Sequence, residues 1–283
     1  MRHALVALST VLLTGGVVLA CTRDGERAEP PAAIQESRPA RSAFDHEHAR
    51  WTSVLRAHVH GDRFDYAAVK ADPAELDAYL VGLQSVTRAQ LESWTEDQRM
   101  AFWINVYNAS AVKLVASEYP IDSIRDLGTL LNKVWDKRFI DLPQLDPEGR
   151  DRKLSLDDVE HAILRPRFED ARVHAAVNCA SESCPPLRAE AFVAERIDAQ
   201  LDEQVRAWLA DETRNRFDVA ERTMRISEIF RWFREDFERD GGSVQGWIAK
   251  YAPEDVAAAL NAGAFEVGYL DYSWKLNAWV EER

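Results

Sequence analysis

The chain has 283 residues, 46% hydrophobic and 29% charged, which excludes disorder or a fibrous architecture as its main state. Its 48 Asp and Glu exceed 35 Lys and Arg, giving a formal charge of −13, and no basic cluster is visible, so nucleic acid is excluded as a partner. Three Cys are too few for a disulfide scaffold, so each needs its own explanation.

Arg2 and His3 open the chain, and an apolar run of small residues follows from Ala4 to Ala20 and stops at Cys21. This is the layout of a secretory signal peptide, too short and wrongly flanked for a membrane span. Val18-Leu19-Ala20-Cys21 resembles a bacterial lipobox, in which Cys21 is diacylated on sulfur and becomes the new N-terminus. An ordinary secreted protein cut near Cys21 is the alternative. No Asp follows Cys21, which by resemblance to Gram-negative lipoproteins implies the outer membrane, facing the periplasm. Residues 21–42, with Pro30, Pro31 and Pro39, read as a tether that cannot offset the entropy of ordering. Its typical reach is about 25 Å. The expected partners are a membrane, met through this anchor, and a small molecule or peptide.

From residue 43 onward one globular domain of mostly helical pattern is expected. Residues 44–60 and 73–83 read as amphipathic helices. Residues 97–119 are apolar on every face except at Asn105, Asn108, Ser110 and Lys113, the mark of a central buried helix ended by Pro120. A short strand at 139–142 precedes a helix at 155–164, capped by Ser155 with Asp158 three residues on. Residues 172–178 alternate like a strand. Helices are expected at 195–210, 227–237, 244–251 and 254–261, and a strand at 265–271. Helices with a few scattered strands give an α+β class, with a small sheet beside the buried helix.

The residues that could carry chemistry concentrate at 172–187. As a strand, this segment places His174 and Asn178 on one face, leading into a loop that holds Cys179 and Cys184 and exits through Pro185 and Pro186. A thiolate–imidazolium pair, a Cys179–Cys184 disulfide and a zinc site with His174 and His161 all remain open, although the spacing matches no standard zinc pattern. On helix 155–164 Glu160 falls inside the apolar arc of Leu156, Val159, Ile163 and Leu164, with His161 at its edge. Such a carboxylate is paired or has a raised pKa. Asn105 and Asn108 share one face of the buried helix, where they brace loops or line a cleft. Asp271, in strand phase with Phe265, Val267 and Tyr269 and followed closely by Trp274, is expected to point inward, where it either orients His174 or caps a turn.

Five stretches then stand in order: 101–109 (Ala-Phe-Trp-Ile-Asn-Val-Tyr-Asn-Ala), 155–165, 172–187, 229–237 and 270–277. They resemble successive motifs of the domain-of-unknown-function family 547 and span about 94–277. Phe233 stands where that family often has Tyr, and Tyr272-Ser273 where Trp often follows the Asp. The resemblance implies one compact domain and no established reaction, and it puts His174, Cys179, Cys184, Glu160 and His161 inside family motifs. The expected function is a thiol-dependent hydrolase or acyltransferase. Cys184 or Cys179 is its nucleophile, His174 its base, and Asp271 or Glu160 the orienter. Asn105, Asn108, Asn178 and Trp274 are the candidate binding residues, and no cofactor is required. The alternative is a non-enzymatic envelope binding module with a structural Cys179–Cys184 disulfide.

Overall fold

Capping chemistry sets where the main helices begin, and buried aromatic side chains set how they pack. The computed structural model describes residues 44–129 and 132–281. The expected signal peptide, Cys21 and the tether lie outside the described residues. Helix α1 (Ala49–His58) leads through a two-stranded ribbon, β1 (Val59–His60) and β2 (Arg63–Phe64), to α2 (Tyr66–Ala71), α3 (Ala74–Gln84) and α4 (Arg88–Ser93). Then comes α5 (Glu96–Glu118), started by a reciprocal cap between Thr95 and Gln98. Every residue of α5 from Met100 to Val112 is buried, so Phe102, Trp103 and Tyr107 each contribute about 1.5–3 kcal/mol relative to an exposed position.

After α5, α6 (Leu156–Val159) starts at the expected Ser155–Asp158 capping box. It runs into one π-helical turn at Glu160–Leu164 and on to α7 (Arg165–Phe168). The short α8 (Val173–Ala176) is followed by α9 (Ile197–Ala210), strands β3 (Arg216–Asp218) and β4 (Thr223–Ile226), and α10 (Ile229–Trp232). Helices α11 (Arg234–Gly241), α12 (Val244–Ile248) and α13 (Glu254–Ala262) lead to β5 (Glu266–Tyr269). β4 is the middle strand of a three-stranded sheet, antiparallel to β3 (Phe217 opposite Met224) and parallel to β5 (Met224 opposite Val267). The class is α+β. Among the described residues no helix is long and apolar enough to cross a membrane.

Three expectations change. Residues 172–178 are not a strand: α8 occupies Val173–Ala176 and only Val177 onward is extended, because the Asn108 side chain takes the Ala176 carbonyl and the Asn178 N–H that a neighbouring strand would have used. The 227–237 helix breaks at Phe233, which separates α10 from α11. At 139–142 a single bridge, Ile140 to Leu154, replaces the expected strand.

Two apolar clusters form the interior, one around α5 and one around Trp208, Phe230, Phe237 and Trp247. Residues 171–180 lie at their seam. Ala171 and Ala175 pack into the second cluster, while Val173, Ala176, Val177 and Ala180 pack into the first.

Candidate active site

The cysteine loop is held from both sides by hydrogen bonds. From α5, Asn108 donates to Ala176 O at 2.9 Å and accepts from Asn178 N–H at 2.9 Å. Asn178 donates in turn to Pro185 O at 2.7 Å and accepts from Ala180 N–H at 2.8 Å. That second bond helps to hold Ala180 at φ 64°, a left-handed conformation that costs a residue with a Cβ about 1–2 kcal/mol. From the C-terminal side, residues 273–277 run along the loop. Glu182 N–H donates to Lys275 O at 2.8 Å, Ser273 N–H to Ser183 Oγ at 2.8 Å, and Asn277 N–H to Ala180 O at 3.1 Å. This strap brings Tyr272 to the sulfurs.

Cys179 and Cys184 are both free thiols, and their surroundings differ. The sulfur of Cys184 lies 3.2 Å from the Cys179 N–H, 3.3 Å from Ser181 Oγ and 3.2 Å from the Tyr272 hydroxyl. Burial opposes ionisation of Cys184, but the Cys179 thiol first, then Ser181, Tyr272 and the Cys179 N–H, outweigh it and bring its pKa down to about 6. Cys179 is pushed the other way by its sulfur neighbour and by burial. The second thiol is therefore held protonated beside the first. The phenol of Tyr272 is likewise held protonated by burial and by the two cysteines, so it can donate.

The histidine is committed elsewhere. His174 Nε2 lies 2.8 Å from Asp236 Oδ2, and the carboxylate is shared with Arg165 Nε at 2.6 Å and Arg239 at 3.3 Å. A carboxylate partner fixes the proton on Nε2 and leaves Nδ1 as the acceptor. Nδ1 is buried without a hydrogen-bond partner and faces Glu160 Oε1 at 3.8 Å. Phe233 stacks on the ring at 4.0 Å and 21°. Burial lowers the His174 pKa, a shift that the Asp236 bond only partly opposes. Glu160 is shifted upward by burial, against the pull of His161 and of the Tyr107 hydroxyl. Glu160 thus tends to hold a proton above the usual carboxylate range.

These groups face one cavity of about 630 Å³. Glu160, His161, His174, Cys179, Cys184 and Trp274 all line it, as do Tyr107, Trp135, Trp232, Phe233 and Tyr272. Among the described residues no hydrogen bond joins His174 to either sulfur, so donors rather than an imidazolium stabilise the thiolate. His161 sits at the rim, 3.5 Å from Asp157, with Nδ1 accepting from Arg165 at 2.9 Å. Asp271 is exposed beyond the end of β5 and among the described residues its side chain has no hydrogen bond or ion pair; Asp236, not Asp271, meets His174. The reason lies in β5, which stops at Tyr269, so the strand phase does not reach residue 271. Asn105, Asn108 and Asn178 brace the interior instead of lining the cavity; Asn105 pairs with both the N–H and the carbonyl of Phe192. Among the described residues no three His, Cys, Asp or Glu side chains come together to hold a metal ion.

Asp236, Tyr272, Ser181 and Tyr107 were not foreseen as site residues. Asp236 had a readable signal, since it lies three residues from Phe233 in the aromatic stretch 229–237, an acid on an apolar face just as Glu160 is. Tyr272 had none, because its approach depends on the C-terminal strap.

No curated protein and no solved structure matches the chain. A family model does match, over residues 91–209, a stretch that holds α5, Glu160, His174 and both cysteines and ends before Asp236 and Tyr272. The family to which this central segment is similar is described as a protein of unknown function, DUF547.

Proposed function

We propose that the domain is a thiol-dependent acyl-transfer enzyme, a hydrolase or acyltransferase, with Cys184 as nucleophile. The observation that carries this reading is a buried sulfur with three donors within 3.3 Å, lining a cavity that also holds the Glu160 carboxyl group, whose pKa burial raises. In acylation the Cys184 thiolate attacks the carbonyl carbon of an ester or thioester. The Glu160 carboxyl group gives its proton to the departing oxygen or sulfur, leaving a thioester on Cys184 and a Glu160 carboxylate. In deacylation that carboxylate takes a proton from the incoming water or alcohol, which attacks the thioester, and the Cys184 thiolate leaves. His174 Nδ1 faces this carboxyl group from 3.8 Å without a hydrogen bond to it, and Asp236 fixes the tautomer that leaves Nδ1 unprotonated.

The test is a burst experiment with 4-nitrophenyl acetate and butyrate. The expected result is one equivalent of nitrophenolate released at once, with an acyl adduct located by mass on the peptide that contains Cys184. Steady release with no adduct, or an adduct on another side chain, overturns the reading. The second reading is the binding module with Cys179 and Cys184 bridged. It is favoured by both sulfurs reaching the same hydroxyls, Ser181 at 3.3 and 3.6 Å and Tyr272 at 3.2 and 3.7 Å. Protein purified without reductant and resistant to alkylation until reduced would establish it.

We also propose that residues 1–20 direct export and that Cys21 is lipidated, which would hold the domain at the outer membrane facing the periplasm. Support comes from the residue pattern alone. Palmitate labelling of the full-length protein in a Gram-negative host is expected, and should vanish in Cys21→Ala; labelling that survives this substitution overturns the anchor.

A further inference from the structure

The acyl-transfer cycle uses one thiol of the cavity and leaves its neighbour without a part. Cys179 and Cys184 both line the cavity, and both are free. The loop between them folds back so that the second lies over the first. Cys184 N–H donates to Ser181 O at 3.2 Å, closing a turn, and the Cys184 sulfur comes within 3.2 Å of the Cys179 N–H. Both sulfurs then meet the same two hydroxyls, those of Ser181 and Tyr272, none farther than 3.7 Å. Joining them asks for rotation about side-chain bonds rather than refolding of the loop.

The two thiols are not equivalent. Cys184 is buried, and against that burial its ionisation is favoured by the Cys179 thiol before any other group. Cys179 is half-buried and held protonated. A thiolate with a protonated thiol at its side is the pairing in which oxidation stops at a disulfide instead of running on to irreversible acids. The cavity is the approach to the Cys184 sulfur, and Trp135, Trp232 and Trp274 are part of its wall. The sulfur is therefore open to a small molecule rather than to the surface of another protein. Glu160 lines the same cavity, and burial favours its protonated form.

We propose that this pair reduces small hydroperoxides, with Cys184 taking the oxygen atom and Cys179 resolving the product. The Cys184 thiolate attacks one peroxide oxygen, and the O–O bond breaks. The Glu160 carboxyl group gives its proton to the departing oxygen, which leaves as an alcohol or as water. Cys184 is then a sulfenic acid and Glu160 a carboxylate. The Cys179 thiol attacks the Cys184 sulfur, the S–O bond breaks, and the hydroxide leaves as water with the Cys179 proton. An external dithiol reduces the resulting disulfide, is itself oxidised to a disulfide, and returns a hydrogen to each sulfur. The proton on Cys184 passes back to the Glu160 carboxylate. Over the cycle one hydroperoxide and one dithiol become an alcohol or water, a further water and a disulfide. While bridged, Cys184 cannot attack a carbonyl carbon, so the same oxidation stops acyl transfer. The reduction stands on the geometry of the pair; its control of acyl transfer rests on the thiol-enzyme reading.

The test uses the full chain carrying Cys21→Ala, reduced without unfolding by dithiothreitol, desalted, and mixed with hydrogen peroxide or cumene hydroperoxide. The expected result is consumption of one equivalent, loss of both thiols to alkylation, and a Cys179–Cys184 bridge located by peptide mass. The faster oxidant identifies an inorganic or an organic substrate. Dithiothreitol should then restore both thiols and permit a second equivalent. In Cys179→Ala the first equivalent should leave a sulfenic acid on Cys184, trapped by dimedone, and excess oxidant should drive it on to a sulfinic acid. Cys184→Ala should lose the consumption. No bridge with either oxidant, a Cys179→Ala protein that still recycles, or consumption that survives Cys184→Ala overturns the proposal. A bridge that dithiothreitol cannot open in the folded protein also overturns it, in favour of the structural disulfide. A reversible bridge in a protein that forms no acyl adduct on Cys184 keeps the redox centre and overturns the acyl-transfer enzyme. An adduct without a bridge does the converse.

Discussion

Replacing Cys184 by alanine is expected to lower ester turnover by roughly 10³-fold or more, the usual scale for loss of a nucleophile. The pH dependence separates this from a merely structural loss. With its pKa at about 6, the Cys184 thiol is ionised at neutral pH, so its alkylation by iodoacetamide should rise with pH through about 6 and then level. Tyr272→Phe removes one donor from the sulfur and keeps the ring. A hydrogen bond to a charged group contributes about 1.5–3 kcal/mol, and each pKa unit corresponds to about 1.4 kcal/mol. The alkylation midpoint in Tyr272→Phe should therefore move up by about one to two units, slowing reaction near pH 6 by roughly five- to fiftyfold. Cys179→Ala keeps the backbone N–H but removes the thiol that lowers the Cys184 pKa most, so the sulfur should still react while its alkylation midpoint moves up. A wild-type midpoint at or above about 8.5, the value of an unperturbed thiol, would remove the basis for a thiolate nucleophile.

The second large effect concerns Asp236. Its carboxylate serves Arg165, Arg239 and His174 together, with the side chain only 9% exposed. Asp236→Ala leaves a largely buried guanidinium and a buried imidazole unpartnered, and should cost about 3–5 kcal/mol by denaturant unfolding. Asp271→Ala, on an exposed residue, should stay within about 0.5 kcal/mol. Equal effects at the two positions would contradict the network. The same groups set the acid limb of stability. The His174 pKa is lowered by burial from 6.5, so the unfolded chain takes up the proton first. Stability from this group is present above 6.5 and lost as pH falls below it towards the folded value. His48, lowered by burial to about 4, adds to the loss over the same window. Asp236 is depressed, by its bonds to His174 and Arg165 against the opposing effect of burial, so its contribution is held above 3.8 and lost only at lower pH. Stability measured from pH 8 downward should decline throughout: the Cys184 thiol, at about 6 when folded against an ordinary value near 8.5, loses its contribution as pH falls towards 6, and His174 and His48 add to the loss below 6.5.

Much of this was readable from local pattern. The all-round apolar character of 97–119 specified a buried helix because no polar face was available to meet water, and the structure places it at Glu96–Glu118. The Ser155 cap and the apolar arc that swept in Glu160 followed from helical spacing alone, and in the structure Glu160 is buried. The proximity of His174 to two cysteines was explicit in the sequence, as was the aromatic richness of 229–237. The α+β class followed from the same periodicities.

The errors have one physical origin. Short apolar segments such as 173–177 fit a strand or a helical turn equally well, and a partner far away in sequence decides between them; here it was the amide of Asn108, 70 residues from Asn178. The π-helical turn at 160–164 and the break at Phe233 escape any fixed period for the same reason.

The sequence by itself determined the elements whose stability is local or whose burial is complete: the capped helices, the central apolar helix and the presence of a His, two Cys and a buried Glu within 25 residues. Only the tertiary structure decided which groups touch. His174 meets Asp236 from 62 residues away and Cys184 meets Tyr272 from 88, whereas Asp271, one residue from Tyr272, faces solvent. Hydrogen-bond partners at such separations are chosen by how two cores close on a seam and how a C-terminal strap pairs with a loop. Those are properties of the packed whole, and no residue spacing encodes them.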